Sequence, residues 1–259
     1  AGLDHIRSTR HPEHGGYVYC TPARPQHYRV YSAPNQAMWC CVGTGMENHG
    51  KYGEFIYTHR DDSLYVNLFV ASELNWKDKG VVIHQHTHFP EEEKTMLTIS
   101  TVQPSTFTLK IRKPYWCAEG ALKIKINNIE INPTKTGSGY LEISRTWNQG
   151  DNVAIDLPMH IRVETLPNVP DYVALMYGPV LLGAKTSTDD LSGLVADDGR
   201  WGHIANGPQR PLNTAPILVG NHAELTRGVV PIKDKALNFK FTNLLASSKD
   251  TALVLEPFY

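Results

Sequence analysis

The chain has 259 residues and a formal net charge of −1, with 25 Lys and Arg against 26 Asp and Glu. That balance, without a basic block, excludes nucleic acid and anionic membrane surfaces as main partners, and no apolar run approaches the roughly 20 residues of a bilayer-spanning helix. The length suffices for one large domain or two smaller ones with a buried core, and 17 prolines with 20 glycines favour a loop-rich β protein.

Residues 1–61 form the first section. The opening Ala-Gly-Leu-Asp has neither a Met nor a charged-then-apolar leader, so the true N-terminus and any targeting signal are expected further upstream. "HPEHGGYVYCTPARPQHYRVYS" mixes Gly, Pro and aromatics without sustained alternation and reads as extended and loop-like. A helix is predicted over 44–58, with Thr44 as N-cap and Glu47 three residues on, the spacing of a capping box. Gly45, Gly50 and Gly53 weaken that helix in isolation and call for a closely packed partner.

From residue 62 the signal has period two. "LYVNLFV" sets Leu64, Val66, Leu68 and Val70 on one face. "FTLKIRK" buries Phe107, Leu109 and Ile111, and "LKIKI" repeats the device with Leu122, Ile124 and Ile126 before a turn at Asn127-Asn128. Val153, Ile155 and Leu157 continue it, then Val173, Leu175 and Tyr177. Short alternating strands predict an antiparallel β-sandwich over 62–185. Residues 186–215, rich in Asp, Gly, Ser, Asn and Pro, read as a connection. Residues 216–259 read as a small β module or extra strands, with Leu237, Phe239 and Phe241 inward.

Chemistry concentrates at "AMWCCVGTGMENHGKYGEF", where Cys40 and Cys41 adjoin a helix start. Helix N-termini lower a thiol's pKa, and thiolates serve as nucleophiles and zinc ligands. Spacing alone favours two buried thiols acting as small hydrophobes over a metal or catalytic site. Four scattered cysteines (Cys20, Cys40, Cys41, Cys117) make no disulfide framework and leave the compartment open. His14, Tyr17, His27 and Tyr28, near His11 and Arg29, form a polar-aromatic cluster suited to sugar hydroxyls, or mere loop decoration; Glu47, His49 and Lys51 line the same cleft or face solvent. His84, His86 and His88 share one strand face, read by default as solvated rather than metal-binding. Cys117 reads as a buried inert thiol, and Trp116 and Trp147 as core.

"WCCVGTGMENHGKYGEFIYTH" resembles the cysteine-pair motif of the bacterial β-L-arabinofuranosidases of glycoside hydrolase families 127 and 146. "IRKPYWC", "NQGDNVAIDLPM" and "VALMYGPVLLGA" resemble that group's Arg-x-Pro-x-Trp, Gly-Asp and Tyr-Gly-Pro segments, and the tail is similar to an accessory module of some members. The resemblance implies an (α/α)6-barrel catalytic domain followed by β-sandwich domains. It also implies zinc held by three cysteines and a glutamate, with retention of configuration. Carried over, Cys40 is the nucleophile and a zinc ligand, and Cys41 a further ligand. The group's Glu-x-Cys and its acid/base Glu lie upstream of the pair; the 39 residues before Cys40 contain no Glu-x-Cys, and their one glutamate, Glu13, matches neither role. The expectation is therefore the C-terminal part of a larger enzyme, 1–61 being a barrel remnant whose partner is its own N-terminal barrel. Zinc is expected in the parent and at best substoichiometrically here. L-arabinofuranoside-containing glycans are the implied substrates, in a periplasmic or secreted setting. The alternative is a carbohydrate-binding or purely structural sandwich.

Overall fold

Alternating apolar residues can be buried on one side of a strand only if a second layer covers them, and this chain supplies that layer. The computed structural model describes residues 9–22, 24–185, 189, 191–196, 199, 201–244 and 252–258. They fall into two units, one of residues 51–160 and one of residues 1–50 with 161–259. The chain opens with the two-residue strand β1 (Tyr31–Ser32) and the helix α1 (Cys40–Ile56).

Residues 51–160 hold two sheets. Their strands are β2 (Tyr57–Arg60), β3 (Ser63–Val66), β4 (Ser72–Trp76), β5 (Val81–Thr87), β6 (Lys94–Thr101) and β7 (Ser105–Arg112). β8 (Lys123–Ile126), β9 (Ile129–Ile131), β10 (Thr134–Lys135), β11 (Tyr140–Trp147) and β12 (Asn152–Asp156) follow. One sheet has five strands in the order β10-β11-β7-β3-β2, the other six in the order β4-β5-β6-β12-β8-β9. All neighbours are antiparallel except β3 and β7. The expected inward residues Leu109, Ile111, Ile124, Ile126 and Ile155 are all buried. Asn127 and Asn128 both take positive φ, 50° and 69°, as a two-residue hairpin turn requires.

The two layers meet on aromatics. Trp147 is fully buried and its indole N–H donates to the Phe107 carbonyl at 3.1 Å. The Phe107 ring stacks 5.6 Å from Trp147 and stands edge-on, 5.3 Å away, to Trp76 of the facing sheet. Trp116 and Cys117 are buried as expected, Trp116 stacking on Phe89 at 5.8 Å. Burial also pushes the Cys117 thiol up, in keeping with an inert group. His84 and His86 stand on the outer face of β5, His84 3.4 Å from Glu73.

The second unit corrects the expected boundary. β13 (Ile161–Leu166), β14 (Val169–Tyr177) and β15 (Val180–Ala184) carry the same alternation as the sandwich but hydrogen-bond elsewhere. β15 pairs with β19 (Leu253–Pro257). After β16 (Val195–Ala196) and α2 (His222–Gly228) come β17 (Val229–Pro231) and β18 (Phe239–Phe241), giving a six-stranded sheet in the order β13-β14-β15-β19-β18-β17. The split thus falls after residue 160, not 185. Leu175, Val180, Leu182, Phe239, Phe241 and Leu255 form the core of this sheet. α2, unforeseen, starts with a complete capping box between Asn221 and Glu224.

In the turn before β12, the segment Asn148–Asp151, Asp151 is buried. Burial pushes its carboxyl upward, but the Asn127 amide (2.8 Å), the Asn148 N–H (2.9 Å) and the Arg145 guanidinium (3.6 Å) outweigh that and hold it below the usual range. A carboxyl depressed in the folded state contributes stability above its unfolded pKa and loses it as pH falls through the folded one. Asp151→Asn should therefore cost about 1–3 kcal/mol at pH 7, and the gap to wild type should close below about pH 4. Urea melts at pH 7 and pH 3 would check this, and a gap independent of pH would contradict it.

Candidate functional site

The Cys pair sits at the first turn of α1, four residues earlier than the predicted cap. The Val42 and Gly43 amides bond to the Trp39 carbonyl at 3.0 and 3.1 Å, closing the turn ahead of Thr44. Thr44 instead donates its hydroxyl back to the Cys40 carbonyl at 3.1 Å, so it is an interior residue and Glu47 is an exposed one further along. Ala37, just upstream, holds a left-handed backbone with φ 52°.

The helix's glycine content has one local cause. The Tyr17 ring lies so close to Gly45 that a β-carbon there would sit 2.7 Å from Tyr17 Cδ1, whereas Gly43, Gly50 and Gly53 face open space. Tyr17 is buried, and its hydroxyl meets His49 Nδ1 at 3.4 Å. That nitrogen also lies 2.8 Å from the Gly45 carbonyl. Tyr17 and His49 therefore fasten the helix to the preceding segment.

The two sulfurs are 3.9 Å apart and in unequal environments. The Tyr19 hydroxyl, 3.7 Å from Cys40 Sγ, donates to the Cys40 thiolate, and with the Cys41 S–H it holds the Cys40 thiol below the usual range. The positive end of α1 acts in the same sense. Cys41 is pushed up, first by burial and then by Cys40, and the charge of Cys20 adds to this. The shifts run in opposite directions, Cys40 down and Cys41 up.

Aromatic rings wall the sulfur. Tyr19 lies 5.8 Å from Trp39 and 4.4 Å from His203, and Trp39 lies 5.3 Å from His203. None of the three is among the residues singled out from sequence, and His203 comes from the stretch read as a connection. Of the expected binding residues, Tyr28 is occupied: its hydroxyl donates to the Ser192 carbonyl at 2.8 Å and accepts from the Gly207 amide at 2.7 Å. His14 stacks on His11 at 3.8 Å, and its Nδ1 accepts from the Gly16 amide at 3.0 Å. His27 packs on Tyr28 at 5.3 Å.

Zinc can be tested against the thiols. A tetrahedral ion with Zn–S bonds of about 2.3 Å sets two sulfurs about 3.8 Å apart, and Cys40 and Cys41, at 3.9 Å, match one edge. Among the described residues no group of three or more His, Cys, Asp or Glu side chains is arranged to hold a metal.

The helix that presents the thiols and the sandwich that follows it are the two parts which comparison with known proteins recognises. Residues 1–54 match the catalytic domain of the GH127 β-L-arabinofuranosidases, and residues 63–159 match their middle domain. Together these cover more than half of the sequence, and the chain belongs to the GH127 glycoside hydrolase family. Residues 162–259 match a domain of unknown function. A GH127 β-L-arabinofuranosidase from Geobacillus stearothermophilus T6 is similar over 68% of this chain and 30% of its own, at 25% identity and a TM-score of 0.59. A glycoside hydrolase (20% identity, TM-score 0.65, 98% of this chain and 44% of its own) shares the fold. So does the GH127 β-arabinofuranosidase BT3674 (19%, 0.65, 97% and 41%). The chain spans less than half the length of each. No curated protein matches the sequence.

Two outcomes follow from this geometry. Gly45→Ala should destabilise by about 1–3 kcal/mol through the clash with Tyr17, while Gly43→Ala should stabilise by about 0.5–1 kcal/mol, as thermal melts would record. Iodoacetamide at neutral pH should modify exposed Cys40 first and spare buried Cys117 in the native chain; peptide mapping with Cys117 labelled early would count against the structure.

Proposed function

We propose that this chain is the nucleophile-bearing part of a retaining glycoside hydrolase acting on β-L-arabinofuranosides. The observation that carries this is the place of Cys40 at the head of α1, 3.7 Å from the Tyr19 hydroxyl, inside the segment matched to the GH127 catalytic domain. The Cys40 thiolate attacks the anomeric carbon as the glycosidic C–O bond breaks, and the leaving oxygen takes a proton from a glutamic acid. Water then attacks the same carbon, its proton passes to that carboxylate, and the C–S bond breaks. Two inversions give retention.

Tyr19 donates to the thiolate and so stabilises both the attacking and the departing sulfur. Cys40 and Cys41 would hold a zinc ion along one edge. When bound it would supply positive charge that keeps the thiol deprotonated and tempers it into a usable leaving group. The family resemblance assigns the other two ligands, a Glu and a Cys, to a Glu-x-Cys upstream of the pair, together with the acid/base Glu. Residues 1–39 offer none of these. Met38, Met46 and Phe55, exposed around α1, suit a helix that other barrel helices would cover. An enzyme acting on such glycans belongs in the periplasm or outside the cell.

The test sets three proteins side by side on p-nitrophenyl β-L-arabinofuranoside: a full-length parent, its Cys40→Ser variant and the 259-residue chain. The parent should be active and bind zinc stoichiometrically. The variant should lose activity. The isolated chain should be inactive with substoichiometric zinc, since loss of the acid/base group alone costs roughly 10²–10⁴-fold and two thiolates hold zinc weakly. Full activity in the Cys40→Ser variant would falsify the nucleophile assignment.

A further inference from the structure

A cavity of about 540 Å³ is lined by Val195, Trp201, Gly202, Ile204 and Asn206, with Gly193 and Ala196. Its size falls within the range of about 300–1,000 Å³ usual for small-ligand sites. Trp201 is 74% exposed, so its indole is open to a ligand. Asn206 is held at the wall by the Ser192 hydroxyl, which donates to its Oδ1 at 3.0 Å. The cavity is thus an aromatic plate beside a fixed amide, the pairing that accommodates a sugar ring: C–H face on indole, hydroxyls on the amide.

Its location joins it to the thiols. His203, between the lining residues Gly202 and Ile204, turns its ring onto Tyr19 at 4.4 Å and Trp39 at 5.3 Å. Tyr19 in turn touches Cys40 at 3.7 Å. His203 thus links the backbone that lines the cavity to the aromatic wall beside Cys40, and its Nδ1 is buried with no hydrogen-bond partner among the described residues. All these residues belong to the same unit.

We propose that the cavity lined by Val195, Trp201, Gly202, Ile204 and Asn206, within the region matched to a domain of unknown function, is a glycan subsite that holds the sugar unit adjacent to the one attacked at Cys40. Resting on the function proposed above, this gives the C-terminal region a direct part in substrate selection.

Binding to the full-length enzyme in a Cys40→Ser background tests it by calorimetry. One probe is a β-linked arabinofuranose disaccharide; the other is methyl β-L-arabinofuranoside, which has only the reacting unit. Trp201→Ala should raise the ratio of disaccharide Kd to methyl glycoside Kd by about tenfold, and Trp201→Phe should restore most of it. His203→Ala should raise the ratio in the same direction. An unchanged ratio in both alanine variants, or no disaccharide binding by the parent, overturns the subsite. The broader reading fails separately, if the parent with Cys40 intact hydrolyses no β-L-arabinofuranoside while Trp201-dependent binding persists.

Discussion

The Tyr28 hydroxyl, donating to the Ser192 carbonyl and accepting from the Gly207 amide, ties together two stretches that the chain itself keeps far apart. Around it the same seam is repeated. β1 pairs with β16 in parallel, Tyr31 against Val195. The Arg24 guanidinium donates to the Arg210 carbonyl. The Gln26 side chain is hydrogen-bonded to Thr214 twice, and the Arg29 guanidinium sits 4.3 Å over the Phe258 ring. Tyr19 and His203 can meet beside Cys40 only because this seam fixes both backbones. The pocket wall and the environment of the sulfur are therefore consequences of a few hydrogen bonds some distance away from them.

Asymmetry between adjacent thiols is the second constraint. Two neighbouring sulfurs in one environment would compete for the same proton and neither would be reliably ionised. Here the Tyr19 hydroxyl lies 3.7 Å from Cys40 Sγ and lowers that thiol, while Cys41 is raised by desolvation and by its neighbour Cys40. The helix start adds a positive potential to both, so the geometric difference between them is the Tyr19 hydroxyl on Cys40. A single phenolic hydroxyl at this point stabilises the thiolate by a hydrogen bond, without taking its proton as a neighbouring histidine does in other cysteine nucleophiles.

Sandwich strands were legible because burial on one side of a pleated strand writes a period of two into the sequence, as at Leu109 and Ile111 or Ile124 and Ile126. Which sheet a strand joins leaves no such mark. Leu175 alternates as clearly as Ile155 yet belongs to another core, so the boundary moved from residue 185 to 160. Helix starts misled for a related reason. "TGME" has the capping-box spacing but lies inside α1, while the real box, Asn221 with Glu224, stood unnoticed in the tail. The Cys pair itself was legible as chemistry. Its wall was not, because Tyr19 and His203 are brought together by the seam at Tyr28 and by no local pattern.

One unit being built from both ends of the chain, residues 1–50 and 161–259, with residues 51–160 continuous between them, has a consequence for the order of events at the ribosome. The inserted sandwich emerges whole and is free to fold as soon as its last strand appears, because all its pairings are internal. The segment bearing the thiols, made before the sandwich, must wait for those intervening residues at roughly 5–20 residues per second, a delay on the order of ten seconds. Until the His203 stretch arrives, Cys40 and Cys41 lack the His203 side of the wall that later surrounds them, so thiol chemistry during synthesis differs from that of the finished site.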